Sequence, residues 1–476
     1  MAVDYDLVII GATEVGIYIA KKAALLQARV ALVTQEIDLA TDYQFTSDRL
    51  SELGRDNYHL ANHPIISSSN RVSLATAQGW HEQMAATDQR RYSLSNLAAL
   101  GVDVVAERGE FCRLPKLSFQ TAKRQLRSRN FVLTTGARFD ARERSDAERC
   151  PTLDEVWQTD LSDLGDTIVV GGNPAALELA QILARFERQV SLITPQSRIL
   201  PEEDLEFALL LQAQLEAEGV KLYTDTIVER IKSGNEEVWL QAGDRALKTN
   251  RLIFADRKQP NISGLNLAGV GVKCDRRKVL VNSRLQTDNP QIYACGEVIG
   301  GYNQTSIAHH EAHIVLKNTL WVARYRVNYH PQPWAIFTQP NFARVGLTLE
   351  RAQKQCDKLY VVREYVRDLE RARVANFTTG MCQLLVRENG EIVGANLICD
   401  RAAELMTEIA LLMQQGIKLD LNPMRGLTSL SMPIQPGMSE IWQRAFDNFY
   451  QQKLQGDRRL LNRLQSWFSW RKECHD

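Results

Sequence analysis

Residues 6–34 read DLVIIGATEVGIYIAKKAALLQARVALVT and predict a strand, a glycine turn, a helix and a second strand. The run from Asp6 to Ile10 is short and apolar, and residues 14 to 27 carry apolar side chains at helical spacing. Residues 28 to 34 form a second pattern typical of a buried strand. The stretch is therefore a βαβ unit, and the rest of the chain is interpreted outward from it.

The same pattern returns at residues 167–194, TIVVGGNPAALELAQILARFERQVSLIT, where Gly171 to Thr194 spans 23 positions, as Gly11 to Thr34 does. Two copies of one βαβ unit predict two nucleotide sites, each with a pyrophosphate at a helix N-terminus, where free N–H groups and the helix dipole favour anions. A single glycine-rich turn is also often a tight connection that binds nothing. Both interpretations stay open on this motif alone.

Composition excludes several classes of protein. A chain of 476 residues is long enough for two to four domains, and 44% hydrophobic with 24% charged residues is typical of a soluble folded protein. Lys plus Arg and Asp plus Glu number 57 each, so no net charge attracts nucleic acid, and no nucleic-acid partner is expected. The N-terminus begins with a strand pattern, and no apolar run approaches the ~18 residues of a membrane span. A cytoplasmic location is therefore expected.

Cysteines and histidines give no metal site. The eight cysteines show no CxxC pair and no metal-ligand spacing, which suits buried thiols in a reducing compartment. His309 and His313 are one helical turn apart, but HHEAH is not HExxH and no third ligand is evident. We expect no bound metal.

Two further segments complete a recognisable order of motifs. FVLTTGARF (131–139) is a strand that enters a small-residue turn, and QIYACGEVIGGYNQTSIAHHEAHIVLKNTL (291–320) is a strand, a GE turn and a helix. With the two βαβ units, these motifs resemble the class I pyridine nucleotide-disulfide oxidoreductases, the group of glutathione reductase, dihydrolipoamide dehydrogenase and mercuric reductase. The resemblance covers about residues 4–447.

The resemblance implies an α/β fold with two Rossmann-like dinucleotide-binding domains and a C-terminal α+β dimerisation domain. NYHPQPWAIFTQPNFARVGLT (328–348) and GEIVGANLICDRAAELMTEIALLMQQG (390–416) are similar to that last domain and imply a homodimer. The implied division is an FAD-binding domain at 1–157 and 259–328, an NAD(P)-binding-like domain at 158–258, a dimerisation domain at 329–447 and a basic amphipathic tail at 448–476.

The same resemblance assigns cofactor residues. Three segments would bind FAD: the first βαβ unit, the turn at Thr135-Gly136, which is like the family's ATG segment, and the turn at Gly296-Glu297, which stands in place of the family's GD turn. The residues assigned to FAD are Gly11, Thr13, Gly16, Thr34, Thr135, Gly136, Gly296 and Glu297. The second unit would bind NAD(P)H through Gly171, Asn173, Ala176 and Thr194. His309 would lie near the flavin pyrimidine ring and act on N1 or O2, or it is a surface or interface histidine.

Both groups that reduce a disulfide in the family are missing. Its CxxxxC pair should lie near residues 38–55, which read DLATDYQFTSDRLSELGR and contain no cysteine. Without two thiols, a flavin cannot pass its electrons into a protein disulfide. The catalytic histidine is replaced by Gln435 in PIQPGMSEIW, and an amide cannot carry the proton, although Glu440 matches the family's partner glutamate.

The nucleotide turns also depart from the family pattern. The middle glycine, which lets the backbone approach pyrophosphate, is Thr13 in one turn and Asn173 in the other, and the acidic residue that holds a ribose is Thr34 and Thr194. Each site thus lacks a charged hydrogen bond to a ribose hydroxyl, which would contribute about 1–3 kcal/mol to nucleotide binding. The nicotinamide half also has an altered segment, FADRKQPN (254–261). Three compensations stay open: a threonine hydroxyl can donate to phosphate, Glu36 can replace the ribose acid, and NADP-type sites dispense with that acid.

Two functions fit this pattern. One is a homodimeric flavoprotein that oxidises NAD(P)H and reduces an unidentified non-disulfide acceptor such as a quinone, dioxygen or a redox protein. The other is a non-catalytic scaffold or regulatory pseudoenzyme that binds its cofactors weakly or not at all. On either hypothesis, FAD binding at the first turn is expected to be weak.

The tail, DRRLLNRLQSWFSWRKECHD (457–476), lies beyond the resemblance. At helical spacing its apolar residues share one face, and its basic residues flank that face. The helix could rest on an anionic membrane surface, or it could dock on its own protein. We expect it to be dispensable for folding but to affect location. The apolar set is Leu460, Leu461, Leu464, Trp467 and Phe468, and the basic set is Arg458, Arg459, Arg463, Arg471 and Lys472.

Overall fold

The structure is a computed structural model that describes residues 3–35, 43–62, 72–91, 93–139, 150–157, 159–234, 237–301, 304–419, 433–456 and 458–473. Glu36, the first residues of the 38–55 stretch and both ends of the tail segment lie outside these residues. The chain divides into two compact units. Unit 1 is Met1–Ile199 with Leu215–Asn328, and unit 2 is Leu200–Gln214 with Tyr329–Asp476.

The helices of the described residues are given in chain order. They are α1 (Glu14–Leu25), α2 (Tyr43–Asn62), α3 (Leu74–Arg91), α4 (Leu94–Ala99), α5 (Leu153–Val156), α6 (Pro174–Arg185), α7 (Leu205–Ala217), α8 (Thr305–Leu320), α9 (Leu349–Gln355), α10 (Glu370–Val374), α11 (Ala402–Gln414), α12 (Glu440–Gly456) and α13 (Arg458–Glu473).

The strands follow in the same way. They are β1 (Tyr5–Ile10), β2 (Val30–Val33), β3 (Asp103–Val105), β4 (Gly109–Cys112), β5 (Ser118–Thr121), β6 (Gln125–Leu126), β7 (Ser128–Leu133), β8 (Ala137–Phe139), β9 (Thr167–Val170), β10 (Val190–Ile193), β11 (Lys221–Tyr223), β12 (Val228–Ser233), β13 (Val238–Ala242), β14 (Arg245–Thr249), β15 (Arg251–Phe254), β16 (Lys258–Pro260), β17 (Ile292–Ala294), β18 (Trp334–Ile336), β19 (Asn341–Gly346), β20 (Leu359–Tyr365), β21 (Met381–Arg387) and β22 (Ile392–Cys399).

The first βαβ unit forms as the sequence predicts. β1, α1 and β2 belong to a parallel sheet with strand order β17-β7-β1-β2-β3. The residues from Leu7 to Ile10 and from Ala31 to Val33 have no exposed side-chain surface, because a parallel sheet is covered on both faces. This continuous apolar burial explains why these strands read as unbroken apolar runs and not as alternating ones.

The second βαβ unit is also confirmed. β9, α6 and β10 lie in a parallel sheet with strand order β11-β10-β9-β15. The antiparallel strands β12, β13 and β14 follow in sequence and form a separate sheet. Unit 1 therefore contains two Rossmann-like sheets, which confirms the predicted fold class.

Unit 2 is built on an antiparallel sheet with strand order β18-β19-β22-β21-β20. Its core includes Met406 and Ile409 of α11 and Trp442 and Phe449 of α12. This α+β arrangement agrees with the dimerisation domain that the sequence predicts.

Buried polar groups also lie inside unit 2. Arg344 Nε lies 2.7 Å from Glu203 Oε2, and both side chains are about 5% exposed. Asp204 accepts hydrogen bonds from the Leu349 N–H at 2.9 Å and from Asn396 Nδ2 at 2.6 Å. The short segment that contains Glu203 and Asp204 is therefore tied to the antiparallel sheet by ionic and hydrogen bonds.

Among the described residues, no helix has both the length and the apolar character needed to cross a membrane.

Candidate functional site

Apart from Thr34, which follows β2, the predicted FAD residues follow the carboxyl ends of β1, β7 and β17. These strands are parallel neighbours, so the turns that follow them lie at one edge of the sheet. A Cβ built on Gly136 would lie 3.2 Å from Thr13 Cγ2 and 3.9 Å from Glu297 Oε2. The three motifs predicted from separate parts of the sequence therefore meet at one place.

Glycines at this edge permit very close packing. Gly11 has φ +111°, and a Cβ there would lie 2.5 Å from the Thr134 carbonyl oxygen. A Cβ on Gly16 would overlap the Gly11 carbonyl oxygen and lie 2.7 Å from Thr134 Oγ1. Both glycines are needed for the tight strand–turn–helix geometry, as the first and third glycines of a nucleotide turn are.

Thr13 does not behave as a free donor. Its hydroxyl donates to the Thr134 carbonyl at 2.7 Å and accepts from the Gly16 N–H at 3.5 Å, so Thr13 is the N-cap of α1. The single hydroxyl proton is already used by the Thr134 carbonyl. A phosphate at this turn would have to displace that bond, which argues against the compensation in which Thr13 donates to phosphate.

Glu14, which the sequence analysis did not single out, places a carboxylate in the first turn of α1. Its Oε1 lies 2.9 Å from Nε2 of His309 on α8. A carboxylate at a helix N-terminus interacts favourably with the helix dipole and opposes a second anion there. An acidic residue directly after the altered glycine position was the sequence signal that could have revealed this role.

His309 lies between α1 and α8. Its ring stacks on Tyr18 with centroids 3.9 Å apart, and the Tyr18 hydroxyl lies 2.7 Å from His313 Nε2. Burial lowers the pKa of His313, and the nearby positive charge of Lys22 lowers it further. Burial and the Glu14 charge raise the pKa of Tyr18. Both histidines of α8 therefore contact side chains of α1.

Glu297 is neutralised by the chain itself. Lys258 Nζ lies 2.8 Å from Glu297 Oε1, and the Ala137 N–H donates to the other carboxylate oxygen at 3.4 Å. Beside it, the Thr135 hydroxyl is buried and has no hydrogen-bond partner among the described residues. This edge thus offers a bound ligand one unpaired polar group and one ion-paired carboxylate.

The second turn repeats the capping of the first. Asn173 Oδ1 accepts from the Ala176 N–H at 3.1 Å, and Asn173 Nδ2 donates to the Ala255 carbonyl. Pro174 takes the first helical position of α6. In both units, the residue in place of the middle glycine caps the helix and binds a carbonyl at the end of a neighbouring strand.

In the second unit, the position at which the family has a ribose-binding acid is inaccessible to a ligand. Thr194 is fully buried, and its hydroxyl donates to the Gln196 side-chain oxygen. A Cβ on Gly172 would lie only 2.7 Å from Thr194 Oγ1. In the first unit, Thr34 is 7% exposed and its N–H donates to the Val105 carbonyl at 3.0 Å. The first turn, with its unpaired Thr135 hydroxyl, fits a dinucleotide better than the second.

The stretch that would carry the redox cysteines continues into α2. Ser47 is fully buried, and its hydroxyl donates to Glu178 Oε2 of α6 at 2.6 Å. Sequence analysis missed Glu178, although an acidic residue inside the apolar run AALELAQIL was a usable signal, because a buried carboxylate needs a partner. Helices α2 and α6 are therefore joined by a polar contact in place of thiol chemistry.

Gln435 and Glu440 do not form a catalytic pair with each other. Gln435 is exposed, and Glu440 begins α12, where it accepts from Arg444 Nε at 2.9 Å and Nη2 at 2.8 Å. Glu440 thus has a cationic partner within its own helix. The side-chain amide of Gln435 does not titrate and cannot carry a proton.

Within the residues that the structure describes, no cluster of three or more His, Cys, Asp or Glu side chains has the geometry to hold a metal ion.

The chain is similar to known proteins in sequence over most of its length. The pyridine nucleotide-disulphide oxidoreductase family matches residues 5–312, and the dimerisation domain of that family matches residues 332–446. Mercuric reductase from Staphylococcus aureus is 26% identical over 433 residues, which cover 88% of this chain and 78% of the relative. The probable pyridine nucleotide-disulfide oxidoreductase RclA from Escherichia coli is 26% identical over 336 residues, which cover 69% and 76%.

Solved structures agree in fold. LpdA from Mycobacterium tuberculosis superposes with a TM-score of 0.83 at 21% identity, covering 93% of this chain and 99% of that one. RclA from Escherichia coli, described as an HOCl-induced flavoprotein disulfide reductase, gives a TM-score of 0.77 at 23% identity, covering 93% and 99%. With both family domains matched in order, the chain belongs to the pyridine nucleotide-disulphide oxidoreductase family.

Proposed function

We propose that the protein is a flavoprotein that holds FAD weakly, takes electrons from NAD(P)H and passes them to an acceptor that is not a disulfide. The observation that supports this most is the meeting of Gly11, Gly16, Gly136 and Gly296 at one sheet edge, beside the unpaired Thr135 hydroxyl. Family membership supports both cofactors. The acceptor is unidentified; a quinone, dioxygen and a redox protein are examples of the non-disulfide acceptors that we propose.

In this proposal, the chain's own residues position FAD and keep it weakly bound. A bound flavin would supply hydride acceptance and onward electron transfer. The Thr135 hydroxyl would donate to the ligand, while Glu14 and the Thr13 cap would weaken the hold on its phosphates. The same proposal places His309 near the flavin ring. It also assigns a nicotinamide site to Gly171, Asn173, Ala176 and Thr194.

Disulfide substrates are expected not to be turned over. The stretch 38–55 has no thiol, and Gln435 cannot protonate a leaving thiolate. The measurement is NADH or NADPH oxidation with glutathione disulfide or lipoamide, with a quinone as the comparison acceptor. Disulfide reduction at ordinary flavoenzyme rates, roughly 10 per second or faster, would refute this prediction.

Flavin content is expected to be substoichiometric after purification and to rise in the variant Thr13→Gly/Thr34→Glu. Glycine lets pyrophosphate approach the turn, and glutamate restores a ribose acid. Loss of the N-cap on changing threonine to glycine costs only a few tenths of a kcal/mol, so the fold should tolerate it. The ratio of flavin absorbance to protein absorbance measures occupancy.

Thr13→Val/Thr34→Glu is the matched control, because it carries the same change at residue 34, removes both hydroxyl bonds of residue 13 and keeps a branched side chain there. If backbone approach limits binding, occupancy rises with glycine and not with valine. Full, tightly held FAD in the unmodified protein would contradict the prediction.

A second candidate function is a non-catalytic scaffold or regulatory pseudoenzyme. It is favoured because three predicted cofactor-binding residues, Thr13, Asn173 and Glu297, already form hydrogen bonds or an ion pair within the chain. A colourless protein whose double variant gains no flavin would support this function over the first. The two candidates therefore separate in one measurement.

The protein is also proposed to be a homodimer that associates through residues 329–447. We keep the domain division proposed from the sequence: FAD-binding at 1–157 and 259–328, NAD(P)-binding-like at 158–258, dimerisation at 329–447 and the tail at 448–476. Unit 2 exposes large apolar side chains, with Leu411 of α11 at 55% and Ile434 at 87%. We expect a dimer mass by light scattering at micromolar concentration. Leu411→Glu should weaken the dimer, whereas Leu25→Glu, at an equally exposed leucine of unit 1, should not. A monomer mass for the unmodified chain would rule the dimer out.

A further inference from the structure

Helix α13 presents an aromatic cluster to solvent. Trp467, Phe468 and Trp470 are each about 55% exposed, and the two indole rings lie 5.3 Å apart. Leu461 and Leu464, nearer the start of the helix, are only partly buried. The aromatic end of the apolar face is therefore not covered by the described part of the chain, which argues against docking of this face on its own protein.

The charges of α13 are strongly one-sided. The helix contains five basic residues and one acidic residue, Glu473, while the whole chain has equal numbers of both signs. Arg463, Arg471 and Lys472 are exposed, and the last two directly follow the aromatic cluster. Positive charge is thus concentrated beside three exposed aromatic side chains.

The combination of exposed aromatic rings and neighbouring basic side chains on α13 is suited to binding an anionic lipid surface. Tryptophan and phenylalanine insert at the boundary between headgroups and acyl chains, and flanking cations remain among the phosphates. A second copy of this helix would bring the same positive charges together, which disfavours self-association through this face. The charge and the aromatic content together select a lipid partner.

We propose that α13 is a peripheral membrane anchor that lies in the plane of an anionic bilayer surface, with Trp467, Phe468 and Trp470 in the interface and the basic residues on lipid phosphates. The proposal concerns α13 only and does not rest on the flavin proposal. It gives the protein a surface location that needs no membrane-spanning segment.

The test is co-sedimentation of the full-length protein with vesicles of phosphatidylcholine containing about 30% phosphatidylglycerol, with pure phosphatidylcholine vesicles as reference. We expect binding to the anionic vesicles to fall about tenfold or more in the variant Trp467→Ser/Phe468→Ser/Trp470→Ser. A similar fall is expected in Arg463→Gln/Arg471→Gln and at about 0.5 M salt.

Trp321→Ala is the matched control, because Trp321 is equally exposed, at 59%, and lies outside the helix. It should bind as the unmodified protein does. Equal vesicle binding by the unmodified protein and the triple aromatic variant would overturn the proposal. So would equal binding to neutral and anionic vesicles, or a tail-dependent change of mass in lipid-free solution without vesicle binding, which would indicate a protein partner for this face.

Discussion

Replacement of Gly16 by alanine is expected to lower the free energy of unfolding by about 3 kcal/mol, a large part of the stability of an ordinary domain. The added methyl group would overlap the Gly11 carbonyl oxygen, and the Thr134 hydroxyl lies on the other side at 2.7 Å. Relief of this overlap requires the backbone of the turn between β1 and α1 to shift from its packed position. Denaturant unfolding, or soluble yield if the variant does not fold, measures the effect.

Gly79→Ala is the control. Gly79 lies in α3, a Cβ there meets nothing within 4 Å, and the change should stabilise the protein by about 0.5–1 kcal/mol. The second turn already has a methyl group at the matching position, Ala176, which is fully buried. Wild-type stability in Gly16→Ala would show that the first turn relaxes to the wider form of the second.

Replacement of Arg344 by methionine is expected to cost about 3–5 kcal/mol in unit 2. The guanidinium pairs with the buried Glu203 carboxylate at 2.7 Å and donates to the Gly346 carbonyl at 2.6 Å. Its removal leaves a charge in a site with almost no solvent access. Thermal or denaturant unfolding measures the loss.

Two variants test whether burial is the cause. Arg363→Met breaks an ion pair of nearly the same length, 2.8 Å to Glu206, but these side chains are 32% and 50% exposed, so about 1 kcal/mol or less should be lost. Glu203→Leu/Arg344→Met removes both buried charges and should recover most of the stability. A cost for Arg344→Met no larger than that for Arg363→Met would contradict the argument.

The pH dependence of Arg344→Met has a definite sign. Burial already raises the pKa of Glu203 beside Arg344, and loss of the guanidinium removes the group that lowers it. A carboxyl whose folded pKa is raised binds its proton more tightly in the folded state, so stability falls as pH rises through that range. The variant should therefore regain stability, relative to the unmodified protein, as pH is lowered from about 7.5 to about 5.

Sequence patterns predicted the elements that depend on local spacing. The equal separations from Gly11 to Thr34 and from Gly171 to Thr194 identified both βαβ units, and the structure confirms α1, α6 and their flanking strands. Periodicity succeeds here because a parallel strand is apolar throughout and a tight turn needs glycine at fixed places. The family follows from the same motifs in order.

Contacts distant in sequence were beyond prediction. Thr13 was interpreted as a steric obstacle, but its bond to the Thr134 carbonyl joins residues 121 positions apart. Arg344 and Glu203 are 141 positions apart, and nothing local in either segment indicates the other. The sequence shows which residue stands at a position, whereas its partner is determined by how the sheets assemble.

The caps on α1 and α6 have a consequence for how the protein reaches its folded state in the cell. Proteins that need a ligand to complete their helix ends gain folding free energy from it as ligand concentration rises. Here Thr13 and Asn173 supply those bonds from the chain. Because the helix ends are completed by the chain and FAD is held only weakly, the folded population should depend little on flavin and nicotinamide supply, and the protein should persist when vitamin-derived cofactors are scarce.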